Sequence, residues 1–466
     1  MATNKILIRA PQAPERRAAA RMTGRYLMTV EPGAHQEMTT KLNKAGLTQA
    51  KPLPRGAMSA KALPNGSQLP LRHVGVSLVD PKPEQEDKLH AMAAAERGVI
   101  ALEPERMQRA VETNAMTQYV RGWRDAVEAL TGKLIADRLP APREIRELAE
   151  ETETWGLGAT KVINTSLSGA GIRVAILDTG FDLAHPDFAG RNIEAKNFVG
   201  DLQMFHDGVG HGTHCIGTVA GPLHPGTGPR YGVAPEARIF AGRVLDDTGR
   251  GGDFNILEGI DWAVEQGCAV VSLSLGAPWF PGDPAFSPAY EAAARRALAA
   301  DCLLVVAAGN EADDPQFVGA VGTPGNSPSV LTVAAIDRNL ATASFSNRAL
   351  PVAAGVKGPD LAAPGVDVYS SWLVGDGRYN SISGTSMATP HVAGIAVLFA
   401  QANPGIRGQA LKDLILNRCA ALPSGAVRRG ETGNGLVQAP DGSAPLAGRR
   451  NAPDEPAPPR RRRRRA

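Results

Sequence analysis

Arg173-Val174-Ala175-Ile176-Leu177-Asp178-Thr179-Gly180 decides the fold: four consecutive apolar residues of strand length, closed by an acid and a turn glycine. Similar runs follow at Arg238 to Leu245, Ala269 to Leu275, Cys302 to Ala308 and Val330 to Ile336. Between them Ile256, Leu257, Ile260, Ala263 and Val264 form a helical stripe, and Ala292 to Ala300 is rich in strong helix formers. Strands that are apolar throughout are buried on both faces, so the expected architecture is α/β: a mostly parallel, doubly wound sheet flanked by helices. In such a sheet functional residues sit at the carboxyl ends of strands, where loops enter helices. Asp178, Ser274-Leu275-Gly276 and Gly309-Asn310 all fall at such ends.

Two more stretches carry chemistry. Gly210-His211-Gly212-Thr213-His214-Cys215 offers an imidazole, with Gly212, Gly217 and Gly221 permitting close packing around it. Asn380 to Gly394 places Ser386 between small residues, ahead of an apolar helical pattern through Val392, Ile395, Ala396, Leu398 and Phe399. Pro390 within that pattern requires a helix start nearby or a kink. A serine at a helix N-terminus sits among N–H groups lacking intrahelical partners, where an oxyanion is stabilised. Its hydroxyl is a weak nucleophile at neutral pH and needs a base, which His211 can supply.

Together these three segments resemble the subtilase family of serine proteases. The resemblance covers about residues 155–440, from Trp155-Gly156-Leu157 to Gly433-Asn434-Gly435-Leu436-Val437. It implies that Asp178 orients His211, that His211 is the base and Ser386 the nucleophile, and that Asn310 donates to the oxyanion. It also implies that peptides bind as an added strand between the edges Arg250-Gly251-Gly252 and Ser274-Leu275-Gly276. Ala307, Ala308 and Gly309 then line the primary pocket, with Glu311 at its rim able to accept a basic side chain of the residue whose carbonyl is attacked. Cys215 resembles the thiol-bearing branch of the family, which implies sensitivity to alkylators.

Upstream, residues 1–23 read as a disordered leader. Residues 24–106 alternate a strand (Tyr26 to Val30), a helix (Gln36 to Ala45), a long loop over 48–73, a strand (Gly75 to Val79), a helix (Pro83 to Glu96) and a closing strand (Val99 to Pro104). This small α+β, ferredoxin-like pattern is similar to the inhibitory propeptides that precede subtilase domains. Residues 107–154 read as a charged helical linker, and 441–466 as a disordered Pro/Arg-rich tail.

The implied function is a serine endopeptidase made as a self-processing zymogen, with polypeptides as substrates and the prodomain as intramolecular inhibitor. The alternative is a catalytically silent or permanently inhibited subtilase fold that binds peptides, although none of the four catalytic positions is replaced. A lipase or esterase would need a Gly-x-Ser-x-Gly elbow, which Gly384-Thr385-Ser386-Met387-Ala388 is not.

No cofactor is implied. His206, Asp207, His211, His214 and Cys215 do not match a zinc spacing. Asp187 matches a calcium position of many relatives, but Pro222 to Pro229, which should complete that site, offers no carboxylate or amide side chain.

With 466 residues, 43% hydrophobic, a net charge of +3 and four cysteines without metal-type spacing, the chain reads as globular with reduced core thiols. No run is long enough for a membrane helix and no secretory signal is recognisable, which leaves the compartment open, the cytoplasm favoured and export by another route conceivable. The arginines Arg460 to Arg465 fit a solubilising or processed tail better than a nucleic-acid or anionic-surface contact.

Overall fold

The computed structural model describes residues 6–7, 22–50, 63–110, 152–200, 204–353, 355–423 and 430–442. The expected linker beyond Ala110, most of the leader and the tail past 442 lie outside the described residues.

The N-terminal part contains β1 (Ile6–Leu7), β2 (Met22–Val30), α1 (His35–Lys44), β3 (Thr48–Gln49), β4 (Ser67–Leu71), β5 (Val76–Asp80), α2 (Glu86–Ala95) and β6 (Val99–Ala110). Its sheet runs β1-β6-β2-β5-β4-β3. Side chains alternate across β2, as the strand period of two requires. Tyr26, Met28 and Val30 pack with Met38 and Leu42 of α1 and Leu89 and Ala93 of α2. Leu27 faces the opposite way and joins Leu69, Leu71, Val76 and Leu78 in the core of the larger domain. Three short elements depart from expectation: Ile6–Leu7 is a strand within the leader, and Thr48–Gln49 and Ser67–Leu71 are strands within the supposed long loop.

After α3 (Trp155–Ala159) come β7 (Arg173–Asp178), β8 (Glu194–Asn197), α4 (His211–Ala220), β9 (Arg238–Arg243), β10 (Arg250–Gly252), α5 (Asp253–Glu265), β11 (Val270–Leu273), β12 (Leu275–Gly276), α6 (Pro288–Ala299), β13 (Leu303–Ala307), β14 (Leu331–Ile336), β15 (Leu361–Pro364), the hairpin β16 (Val368–Ser371) and β17 (Tyr379–Ile382), α7 (Thr385–Ala402) and α8 (Gly408–Leu416). Seven strands form the expected sheet in the order β15-β14-β13-β11-β7-β9-β8. Every neighbouring pair is parallel.

α7 is the helix expected to begin beside Ser386, and it is buried around its whole circumference from Thr385 to Ala400 rather than along one stripe. Leu398 has no exposed surface, so truncation to alanine is expected to cost about 2–5 kcal/mol. Pro390 lies inside the helix and cannot donate to the carbonyl of Ser386 four residues earlier. That carbonyl accepts instead from Ser274 Oγ at 2.8 Å. Among the described residues no helix is long and apolar enough to cross a membrane.

β6 belongs to two structures at once. Its first half pairs with β2, and its last residues continue as an antiparallel strand against β10 and β12 of the larger domain. The face of the N-terminal sheet beneath it packs on α5 and α6 through Phe254, Leu257, Tyr290 and Ala293. Asp261 on α5 accepts from the amides of His73 and Val74 at 2.7 and 2.9 Å, and Arg296 on α6 donates to the carbonyls of Val30 and Val74.

Candidate active site

The carboxyl end of β7 delivers Asp178, and the first residue of α4 is His211. Gly210 before it has φ 95°, and a Cβ there would lie 2.5 Å from the Trp372 ring, so only glycine fits. Asp178 Oδ1 accepts from the amide of Thr179 at 2.7 Å and faces His211 Nδ1 at 2.6 Å, with both side chains buried. Burial disfavours the imidazolium, but the neighbouring Asp178 carboxylate outweighs this and holds His211 well above the ordinary imidazole value. The arrangement presents Nε2 as the acid/base atom. It makes no hydrogen bond among the described residues.

Ser386 lies in the first turn of α7, and its Oγ donates to the carbonyl of Ser274 at 3.0 Å. With Ser274 Oγ donating back, the two serines form a reciprocal pair joining α7 to the strand end before β12. Asn310 sits on the loop after β13. Its amide oxygen accepts from the Thr385 amide at 2.9 Å and from Thr385 Oγ1 at 2.8 Å, so the end of the side chain left to face elsewhere carries only N–H donors.

Both proposed edges are placed together, with β6 between them. Arg250, Gly251 and Gly252 pair with Arg109, Gln108 and Met107, while Leu275 and Gly276 pair with Ala110 and Arg109. The Ala110 amide also donates to the Gly249 carbonyl at 2.9 Å. The glycines are required by close packing within the chain: a Cβ on Gly251 would lie 2.1 Å from the Val244 carbonyl, and one on Gly252 would lie 2.6 Å from Glu105 Oε1. Ala308 is buried and its amide donates to Val333, and Gly309 has φ 108° beside Asn347 and Glu311. Glu311 is buried and holds Arg109 of β6 at 2.8 Å.

The model of the subtilase family matches residues 169–435. Proteinase T of Parengyodontium album is 37% identical over 317 residues, 63% of this chain and 95% of that protein. An intracellular serine protease of Paenibacillus polymyxa is 40% identical, covering 50% of this chain and 68% of that one. The solved structure of a cold-adapted subtilisin-like serine proteinase matches with a TM-score of 0.50 and 31% identity, covering 62% of this chain and 98% of that chain. The chain belongs to the subtilase family. It is a subtilisin-type serine endopeptidase, a hydrolase whose substrates are polypeptides.

At Asp187, the position expected for calcium, the carboxylate of this subtilase is enclosed by hydrogen-bond donors. Asp187 Oδ1 accepts from the Gly226 amide at 2.9 Å, and Oδ2 accepts from the hydroxyls of Tyr231 at 2.6 Å and Tyr379 at 3.0 Å. Tyr369 stacks on Tyr379 at 5.4 Å and closes the cluster. Donors surround the carboxylate where a hard cation would need oxygens, so the residues do not fit calcium.

Among the described residues, one set of three potential ligands converges on a metal-sized space: Asp178, His211 and Cys215. It is the hydrogen-bonded Asp178–His211 pair plus its neighbouring thiol. The other residues weighed for a metal have separate employment. His206 pairs with Asp247 and His214 bonds the Val368 carbonyl. Cys215 is fully buried and burial raises its pKa, which keeps it a thiol and opposes alkylator sensitivity. All four cysteines are free.

Sequence reasoning passed over Asp207 as a structural element. Its Oδ1 accepts from Thr179 Oγ1 and the amides of Val209 and Gly210, and its Oδ2 accepts from the amide and hydroxyl of Thr213. One carboxylate therefore ties the residue after Asp178 to the helix carrying His211. The signal was legible: an aspartate just ahead of a helix start is a favoured cap.

Proposed function

We propose that Asp178, His211 and Ser386 form the catalytic triad, that Asn310 and the Ser386 amide hold the oxyanion, and that residues up to Ala110 act as an intramolecular inhibitor cut off by the enzyme itself. One observation carries this reading: β6 runs antiparallel between β10 and β12 and is described up to Ala110, one register position short of Ser274. The Ser274 carbonyl in turn lies 3.0 Å from Ser386 Oγ. A peptide continuing the register offers its next amide to that carbonyl. The serine hydroxyl then turns to His211 Nε2, gives up its proton and attacks the adjoining substrate carbonyl. The imidazolium protonates the leaving amine, and water repeats the sequence on the acyl-enzyme. No metal is assigned a role.

Intact mass of the purified full chain over time, beside Ser386→Ala and with casein present, tests the reading. The expected result is loss of an N-terminal piece ending shortly after Ala110 and digestion of casein, in wild type alone. Two intact proteins and undigested casein would overturn it.

A further inference from the structure

We propose that this protease selects substrates carrying arginine two residues before the residue whose carbonyl is attacked, and that Glu311 and Phe317 read it. The inference rests on substrates binding in the register of β6. In that register Leu275 faces Ala110, so a substrate strand laid in the same register would put its attacked residue opposite Ser274, one position beyond the one that matches Ala110. Arg109 stands two residues before it.

The main chain of Arg109 is fixed on both sides, opposite Arg250 and Gly276. Its guanidinium then meets a carboxylate and an aromatic wall. Arg109 Nη2 donates to Glu311 Oε1 at 2.8 Å, and its Cζ lies 5.9 Å from the centre of the Phe317 ring. Phe317 packs against Phe280 at 5.7 Å. Glu311 is organised before the arginine arrives: its Oε2 accepts from Asn347 Nδ2 at 2.6 Å and the Asn310 amide at 3.1 Å, and its own amide donates to Asn347 Oδ1 at 2.9 Å. The Glu311 side chain is 7% exposed and that of Arg109 49%, so a buried, oriented anion meets a cation arriving from solvent.

The sequence placed Glu311 against the attacked residue itself. In the structure its Oε1 bonds a side chain two residues earlier. A planar guanidinium can hydrogen-bond the carboxylate while facing a ring, whereas a lysine ammonium is a compact, strongly hydrated point charge, so arginine should exceed lysine.

The test uses the full chain after self-processing and octapeptides that differ at this one position, Arg, Lys, Ala or Glu, with the cleaved bond assigned by mass. Expected kcat/KM falls in that order, with Arg over Ala by about 5- to 10-fold. In Glu311→Gln the Arg/Ala ratio collapses to about 1–2, and in Phe317→Leu the Arg/Lys ratio shrinks. The peptide series in wild type decides the matter even if a variant fails to fold. Equal rates for Arg and Ala, or a preference for arginine at the attacked residue instead, would overturn the inference while leaving the peptidase reading intact. Absence of turnover with every peptide would overturn both.

Discussion

Three helix N-termini point toward the N-terminal domain or the cleft it fills, and they are used in opposite ways. Those of α5 and α6 receive resident carboxyl groups from β6. Glu105 Oε1 accepts from the amide of Phe254 at 3.1 Å, and Glu103 Oε1 accepts from the amide of Ala289 and Ser287 Oγ. The N-terminus of α7 is surrounded instead by neutral groups, Thr385, Ser274 and Asn310. A helix end attracts negative charge in every case. The difference is lifetime: a group present throughout docking can be a carboxyl side chain, whereas a charge that exists only while a tetrahedral intermediate lives cannot be matched by a resident anion.

The largest expected effect removes the transient charge altogether. Ser386→Ala should lower hydrolysis by about 10⁶-fold, a magnitude carried over from subtilisin, a member of this family. Asn310→Ala keeps the nucleophile and removes one donor, and kcat should fall by about 10²–10³-fold, again by analogy with subtilisin. Steady-state kinetics check both, on the self-processed chain for Asn310→Ala and, for Ser386→Ala, on chain trimmed by added wild type and then separated from it. If Asn310→Ala raised KM alone, the neutral end would be a binding device and the contrast with α5 and α6 would fail.

The ends with resident carboxyl groups respond through inhibition rather than turnover. Glu105 also holds Thr23 and Arg25 of its own domain, with Arg25 Nε at 2.7 Å. Replacing both Glu103 and Glu105 by alanine should weaken inhibition by the cut N-terminal fragment by about 10- to 100-fold, since each forfeits a charge-assisted bond to a helix end.

A pH series sharpens this further. Burial raises Glu103 to about 7, partly offset by Arg106 and the bonds from Ala289 and Ser287. Burial likewise raises Asp253 on α5 to about 6, against the Arg106 amide and Gln108, with Glu105 nearby adding to the rise. A raised carboxyl pKa in the docked state means that docking takes up protons. The fragment should therefore bind most tightly below the ordinary carboxyl range and lose affinity as pH climbs from about 4.5 through 7, by about tenfold or more. In Glu103→Gln the slope should flatten, and an unchanged slope would assign the titration elsewhere.

The smallest effect concerns an anion satisfied by phenols. Adding a chelator should leave the melting temperature within about a degree, because donors surround Asp187. Tyr379→Phe removes one hydrogen bond, worth about 1 kcal/mol, and should lower the melting temperature by a few degrees.

The central sheet was legible because β7, β11, β13 and β14 are dominated by apolar residues, broken inside the strands only by Ser272 and Thr332, and burial on both faces leaves them little alternative. β8 was not: Glu194-Ala195-Lys196-Asn197 is an edge strand, half solvated, with no pattern to betray it. The last stretch of β6 is the instructive case. Met107-Gln108-Arg109-Ala110 is built of good helix formers and read as the start of a linker, yet two waiting edges make it a strand. Tertiary pairing decided there, and local preference did not. The triad positions could be named from their motifs, whereas the Arg109–Glu311 contact joins parts of the chain too distant for any spacing to announce.

The shared strand would also shape how a severed N-terminal domain leaves. On the proposed cut beyond Ala110, the ladder on β10 and β12 has a free end from which it can open one residue at a time, like a zipper. The apolar face on α5 and α6, by contrast, must let go as a block. Departure would thus combine a peel with a shear.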